Sequence, residues 1–305
     1  MRKPKPLQKN DTIGLIGASS ATPKEKLDSA IKSIEKLGFQ VVVGESCYSM
    51  HGYLSGTDDI RANDVNKMFA DSSIDGIFCV RGGYGATRIL DKLDYESIQN
   101  NPKVFAGYSD VTAFHIAFNQ ICNFVTFHAP MASTELNKTI DMHTRSSFIH
   151  AITSPDYSGE VQNPPGLKMK SLVEGSATGQ LIGGNLSLVC ATLGTPYEID
   201  TKNKILFLED VDEYTYRIDR MLTQLKLAGK LDDAAGIILG GWTNCGADNP
   251  EKSLTLEQVF NEILVPTGKP IITDVVCGHC LPTITLPLGA MVTMNTNNSN
   301  FIRVE

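Results

Sequence analysis

The sequence predicts an α/β protein with two parts: an N-terminal domain on a doubly wound, mainly parallel sheet, and a C-terminal mixed α/β domain, barrel-like in one reading. Three observations predict it. From Asp11 onward, short apolar runs alternate with helix-period segments, the pattern of β-α-β units with parallel strands. Between about Ser133 and Ser176 the pattern lapses into a polar stretch holding Pro155, Pro164 and Pro165, and it resumes at Gly179. A length of 305 residues suits two domains or one large one. These give residues 1–135 as the first domain, 136–176 as a connecting segment and 177–305 as the second domain.

The elements follow in order. Asp11–Ala18 reads as a buried strand. Thr22-Pro23 opens a helix, with Pro at its first position and Leu27, Ala30, Ile31, Ile34 and Leu37 at helical spacing until Gly38. Phe39–Val43 is the next strand, and a loop with Gly52–Thr57 leads to a helix over about Asp58–Ala70. The strand Ile74–Val80 runs into Arg81-Gly82-Gly83-Tyr84-Gly85 and a helix from Ala86. Val104-Phe105-Ala106 leads to Gly107-Tyr108-Ser109-Asp110, then to a buried helix over Val111–Phe118, and Phe124–Met131 closes the half. The second half begins with Gly179–Leu186, and has strands at Lys204–Asp210 and Ala234–Gly240. One helix carries Ile218, Met221, Leu222 and Leu225, and another covers Leu254–Leu264. Met291–Asn295 and Phe301–Val304 read as a hairpin across Thr296–Asn300.

Composition narrows the function. Formal net charge is -7 and no dense basic run follows the first six residues, so nucleic acid has no electrostatic footprint. The basic N-terminus is not followed by an apolar signal segment, and no stretch approaches the ~20 apolar residues of a membrane span. Seven cysteines, an odd and scattered set, suit a reducing compartment, with the cytoplasm as the default.

The chemistry centres on Ser109. A serine at a sharp strand-to-helix turn projects from the sheet edge, and the helix N-terminus faces charge developing beside it. Gly-x-Ser-Asp is also an ordinary helix cap. Two later positions lift the nucleophile reading: Glu209 at the end of a strand, and His279 after Pro270–Val276. A serine hydroxyl needs an imidazole to take its proton, and the imidazole needs a carboxylate to fix its tautomer. The plainer alternative leaves Glu209 a solvated strand end and His279 a loop histidine. Arg81-Gly82-Gly83-Tyr84-Gly85 reads as a backbone-amide cradle for an anion or oxyanion, or as a tight turn. Gly183-Gly184-Asn185 offers the same choice, with the Asn185 amide available to substrate. His128 and His115 read as structural.

Other classes stay in view. Cys277-Gly278-His279-Cys280 has the spacing of a thiol–disulfide oxidoreductase, but lies near the C-terminus before Leu281-Pro282-Thr283, poor ground for the helix that motif opens. No second Cys/His pair completes a zinc site, and no metal or cofactor is called for. A non-catalytic module holding an anion on its glycine loops is the other class.

Taken in order, the motifs resemble the L,D-carboxypeptidase family of serine peptidases, which includes muramoyltetrapeptide carboxypeptidase. They are Gly52–Asp58, Arg81–Gly85, Gly107–Thr112, Gly183–Leu186, Leu206–Asp210, Tyr216–Leu222, Gly278-His279 and Leu286–Gly289. The resemblance implies a flavodoxin- or amidotransferase-like first domain and a triad of Ser109, Glu209 and His279. Glu209 is preferred to Glu213 because the family's acid ends a strand. It also implies an oxyanion hole from the amides of Gly83 and Asp110, with Arg81, Gly82, Tyr84 and Asn185 around the substrate. The implied activity is cytoplasmic removal of terminal D-alanine from muropeptide tetrapeptides by a homodimer. A relative cleaving peptidyl-nucleotide antibiotics with the same triad is the alternative, for which Trp242, the only tryptophan, leaves room. Two departures stand: Ala129 in His128-Ala129-Pro130-Met131, where the family has Gly, and Ala18 in Ala18-Ser19-Ser20, where it has Pro.

Overall fold

Strands covered on both faces must be apolar throughout, and the N-terminal half supplies such runs. They form β1 (Thr12–Ile16), β3 (Gly76–Cys79), β4 (Val104–Gly107) and β5 (Thr126–His128), while the edge strand β2 (Gln40–Val43) alternates between exposed and half-buried residues. The helices between them are α1 (Lys24–Lys36), α2 (Asp58–Ala70), α3 (Tyr95–Asn100) and α4 (Thr112–Ala117), followed by α5 (Met142–Thr153). The computed structural model describes residues 1–137, 140–297 and 299–305. The chain divides into two units: Met1–Tyr157 with Thr285–Gly289, and Ser158–Ile284 with Ala290–Glu305.

In the first unit, β1 pairs in parallel with β2 on one side and β3 on the other, and β3, β4 and β5 continue in parallel. The strand order therefore reverses at β1, and in such sheets the crevice beyond the carboxyl ends at that point is where ligands bind. Phe69, Phe105, Phe114, Phe118 and Phe124 pack edge-to-face or stacked, with Phe105 and Phe118 centroids 5.0 Å apart. Each such buried ring contributes roughly 2–3 kcal/mol.

Four expectations need correction here. After Gly85 the chain winds as a 3-10 run, Ala86–Lys92, and not as an α-helix. Ser109–Val111 is likewise a 3-10 turn, so α4 begins only at Thr112 and passes into a π-turn at Phe118–Cys122. The segment 136–176 is not a plain connection. It carries α5, capped by Asp141 and burying Phe148, Ala151 and Ile152, a face too narrow to show as a sustained apolar period. Finally, β12 (Leu286–Leu288) returns from the far end of the sequence to pair antiparallel with β5.

The second unit contains β6 (Gly159–Val161), β7 (Lys170–Val173), β8 (Ser176–Asn185), α6 (Leu186–Ala191), β9 (Ile205–Val211), α7 (Thr215–Leu227) and α8 (Lys230–Asp233). It continues with β10 (Gly236–Thr243), α9 (Leu256–Ile263), β11 (Ile271–Thr273), β13 (Met291–Asn295) and β14 (Phe301–Val304). Its strand order is β6-β14-β13-β8-β9-β10-β11-β7, with β6 and β7 as two separate ends. Among the described residues the sheet does not close, so the barrel-like form is not found. The long β8 explains the near miss. Ser176–Gln180 pair antiparallel with β13, and Leu181–Asn185 pair in parallel with β9. Gly183-Gly184 thus lie inside a strand and not in a turn. The hairpin of β13 and β14 is present, and its turn includes Asn298, which lies outside the described residues.

Candidate active site

The carboxyl ends of β1, β3 and β4 deliver three loops of the first unit. Ser109, just beyond β4, holds φ +66°, a left-handed conformation that non-glycine residues rarely adopt. Gly82, beyond β3, approaches it so closely that a Cβ there would lie 2.8 Å from Ser109 Cβ and 2.9 Å from its Oγ. The same point lies 3.5 Å from the Asp110 backbone nitrogen. Of the expected oxyanion and substrate residues, Gly82, Gly83, Tyr84 and Asp110 therefore belong to two loops packed backbone to backbone.

Buried polar groups fix this loop. Gly83 has φ +117°, and a Cβ there would fall 2.2 Å from Ser20 Oγ. That hydroxyl accepts the Tyr84 N–H at 3.1 Å, and Ser20's own carbonyl accepts Ser55 Oγ at 2.7 Å. The Asp110 carboxylate is buried and accepts the Ala86 N–H at 2.8 Å. Burial pushes this carboxyl above the usual range, while the Ala86 N–H and the Arg61 charge oppose the shift. Arg81 Nε donates to Gly82 O at 3.3 Å and its Nη1 to Ala21 O at 3.4 Å, so the guanidinium lies along the loop.

Arg61 is the residue the sequence reading passed over. It is wholly buried on α2, and its Nη1 donates to Ala18 O at 2.8 Å and Gly85 O at 2.7 Å, joining the β1 and β3 loops. Its Nη2 pairs with Asp58, which also takes Arg88 at 2.8 Å. The signal available was an arginine three residues after Asp58 in Thr57-Asp58-Asp59-Ile60-Arg61, facing inward with Ala62 and Val65. Tyr108 was also missed: its hydroxyl donates to buried Glu135 at 2.9 Å and anchors the residue before Ser109.

The second unit holds the other two candidates together. Glu209 ends the apolar run of β9 and is fully buried. Its Oε2 lies 2.7 Å from His279 Nδ1 and accepts the His279 N–H at 3.1 Å. Gly278 makes the contact possible: with φ +106°, a Cβ there would lie 2.4 Å from Glu209 Oε2. Thr243 Oγ1 donates to His279 O and holds the loop from the far side. Side chains alternate along a strand, so Asp210 faces away from Glu209. It accepts Asn185 Nδ2 at 2.8 Å, Ser187 Oγ at 2.8 Å and Ser187 N–H at 3.0 Å. Burial pushes Asp210 above the usual range against these donors. Asn185 also caps α6 through Leu188 N–H, so its amide orders this corner of the fold. Glu213, the rejected acid, pairs instead with Arg217 at 3.5 Å. Trp242 packs on Phe260 with centroids 5.1 Å apart.

Each unit supplies one part of acyl-transfer chemistry: the first a strained serine beside backbone amides, the second an imidazole whose Nδ1 is held by a buried carboxylate, leaving Nε2 to carry a proton. The thiols do not suit redox chemistry. Cys277 is buried, donates to Ile284 O at 3.2 Å, and is pushed far up by desolvation.

The LD-carboxypeptidase N-terminal domain matches residues 13–129, and the LD-carboxypeptidase C-terminal domain matches residues 178–294. A Bacillus subtilis (strain 168) protein, named a probable murein peptide carboxypeptidase, is 45% identical over 296 residues, covering 96% of this chain and 92% of its own length. The crystal structure of an MccF-like protein from Bacillus anthracis str. Ames matches with TM-score 0.89 and 27% identity, over 100% of this chain and 99% of that one. A muramoyltetrapeptide carboxypeptidase from Oxalobacter formigenes matches with TM-score 0.85 and 25% identity, over 96% and 97%.

Proposed function

Because the chain belongs to the LD-carboxypeptidase family, we propose that it is a serine carboxypeptidase releasing the terminal D-alanine from murein tetrapeptides. Ser109 Oγ attacks the carbonyl carbon of the last amide, and His279 takes the hydroxyl proton while Glu209 holds its ring. The amides of Gly83 and Asp110 receive the negative charge on the carbonyl oxygen. As the C–N bond breaks, His279 returns the proton to the departing amine. Water, activated by the same imidazole, then hydrolyses the acyl-serine. Arg81, Gly82 and Tyr84 border the substrate. The observation that carries the reading is Ser109 itself, a non-glycine residue at φ +66° between a buried strand and a helix.

Ser109→Ala tests it on a purified tetrapeptide. D-alanine release is expected to fall at least about a thousandfold. Turnover within tenfold of the parent overturns the assignment.

A second reading, cleavage of a peptidyl- or aminoacyl-nucleotide, is favoured by the match to the MccF-like structure. Assaying an aminoacyl-adenylate analogue beside the muropeptide separates the two by which product forms. The family likeness also supports a homodimer acting in the cytoplasm, to be checked by sedimentation velocity and cell fractionation.

A further inference from the structure

We propose that the exposed pair Tyr53 and Tyr84 seats the sugar ring of a muropeptide, so that this chain prefers glycan-bearing substrates to free peptides. The proposal rests on the carboxypeptidase reading above and concerns which form of that substrate is taken.

The two rings meet edge-to-face, with centroids 6.2 Å apart and planes at 80°. They are 65% and 72% exposed, which is unusual for large rings whose backbones are so firmly held. Tyr84 stands between Gly83 and Gly85, where Ser20 takes its N–H and Arg61 takes the Gly85 carbonyl. Tyr53 stands in a turn closed by mutual His51 and Leu54 backbone hydrogen bonds, and its carbonyl accepts the Ala21 N–H at 3.1 Å. Buried groups thus hold both backbones, and both phenols are directed outward with no hydroxyl partner among the described residues. Tyrosine placed in this way supplies contact area at small entropy cost.

The angle between the rings selects the ligand. Two parallel faces would grip a flat base on both sides. A corner of one face and one edge instead fits a pyranose chair, whose apolar C–H face lies on one ring while its rim of hydroxyls meets the other ring's edge and hydroxyl. Reach agrees as well. Tyr84 is two residues from Gly82, which abuts Ser109, so the Tyr84 Cα lies within roughly 7 Å of the Gly82 Cα, and the ring extends further. In a muramoyl tetrapeptide, three residues separate the sugar-linked carbonyl from the scissile one, roughly 10 Å when extended.

The experiment compares kcat/KM for a disaccharide-bearing tetrapeptide and for the free tetrapeptide. The parent is expected to prefer the glycan form at least tenfold. In Tyr53→Ala and Tyr84→Ala the preference should collapse to within threefold of unity, with the change carried by KM. Tyr84→Phe, which keeps the ring face, should retain most of it. A parent with no preference, or alanine variants that keep it, overturns the proposal. A second readout needs no turnover: the N-acetylglucosaminyl-N-acetylmuramic acid disaccharide is titrated into Ser109→Ala protein and followed by NMR. Loss of binding when both tyrosines are alanine supports the proposal, and retained binding overturns it. If the parent hydrolyses neither peptide, the carboxypeptidase reading fails, while this titration still decides the sugar site.

Discussion

Ser109 holds a left-handed backbone that costs a non-glycine residue on the order of 1–2 kcal/mol, a strain that persists only where surroundings over-determine it. Here the surroundings are the Gly82 backbone on one side and the buried Asp110 carboxylate, bonded to Ala86, on the other. Gly278 plays the corresponding part for Glu209 and His279. It brings a peptide against Glu209 Oε2 where any Cβ would lie 2.4 Å from the oxygen, so Gly278→Ala must push the carboxylate off His279. We expect kcat to fall about a hundredfold, with KM changed less than threefold, since ring orientation matters most in the transition state. Gly246→Ala, in open space with no atom within 4 Å of its Cβ position, should remain within twofold of the parent. Equal effects from the two substitutions would show that Gly278 is not positioning the pair.

At the scale of elements, α4 is tied to two strands by a single histidine. His115 lies 2.8 Å from the Gly107 carbonyl through Nε2 and 2.9 Å from Thr126 Oγ1 through Nδ1, joining α4 to the ends of β4 and β5. Burial lowers its pKa from 6.5 to about 4, so the folded ring stays neutral where the unfolded one takes a proton. Between those values the unfolded chain binds more protons, and stability is therefore lost as pH falls from above 6.5 toward 4. At pH 5 the loss is about 2 kcal/mol relative to neutral pH. His115→Gln removes this titration. Urea unfolding at pH 7 and pH 5 should show the parent losing about 2 kcal/mol more than the variant, and matching losses would refute the assignment. The same scale shows what the sequence could reveal. β1, β3, β4 and β9 were legible because their burial on both faces demands unbroken apolar runs, and the residues at their ends, Ser109 and Glu209, came with them. α5 was not legible, because three buried apolar positions leave little period to read. Arg61 was hidden for another reason: a buried cation that bonds two carbonyls distant in sequence looks on paper like a surface helix charge paired with Asp58. The partner change within β8 left no local mark either, since both halves are extended.

At the scale of the whole molecule, the chain returns to its first unit late, with β12 completing the edge beside β5 after 157 residues of the first pass and the bulk of the second. The sheet edge carrying His128 is thus finished by the segment that immediately follows the His279 loop. That loop also carries the two cysteines whose spacing suggested a redox enzyme, and the thiols across the molecule argue against it. Cys47, Cys122 and Cys190 are pushed up to about 12, and Cys245 and Cys280 to about 11, in each case mainly by burial. Cys79 and Cys277, fully buried, are raised further still. A redox-active dithiol needs the opposite, a thiol lowered toward neutral pH by a helix N-terminus or a neighbouring cation. Two measurements follow. Iodoacetamide at pH 7.5 should modify less than one thiol per chain within an hour in the folded protein, and all seven after denaturation in urea. The double variant Cys277→Ser/Cys280→Ser should keep at least half the parent's D-alanine release. Fast alkylation at Cys277 or Cys280, together with loss of activity in that variant, would transfer the chemistry of this loop from the imidazole of His279 to the sulfur atoms beside it.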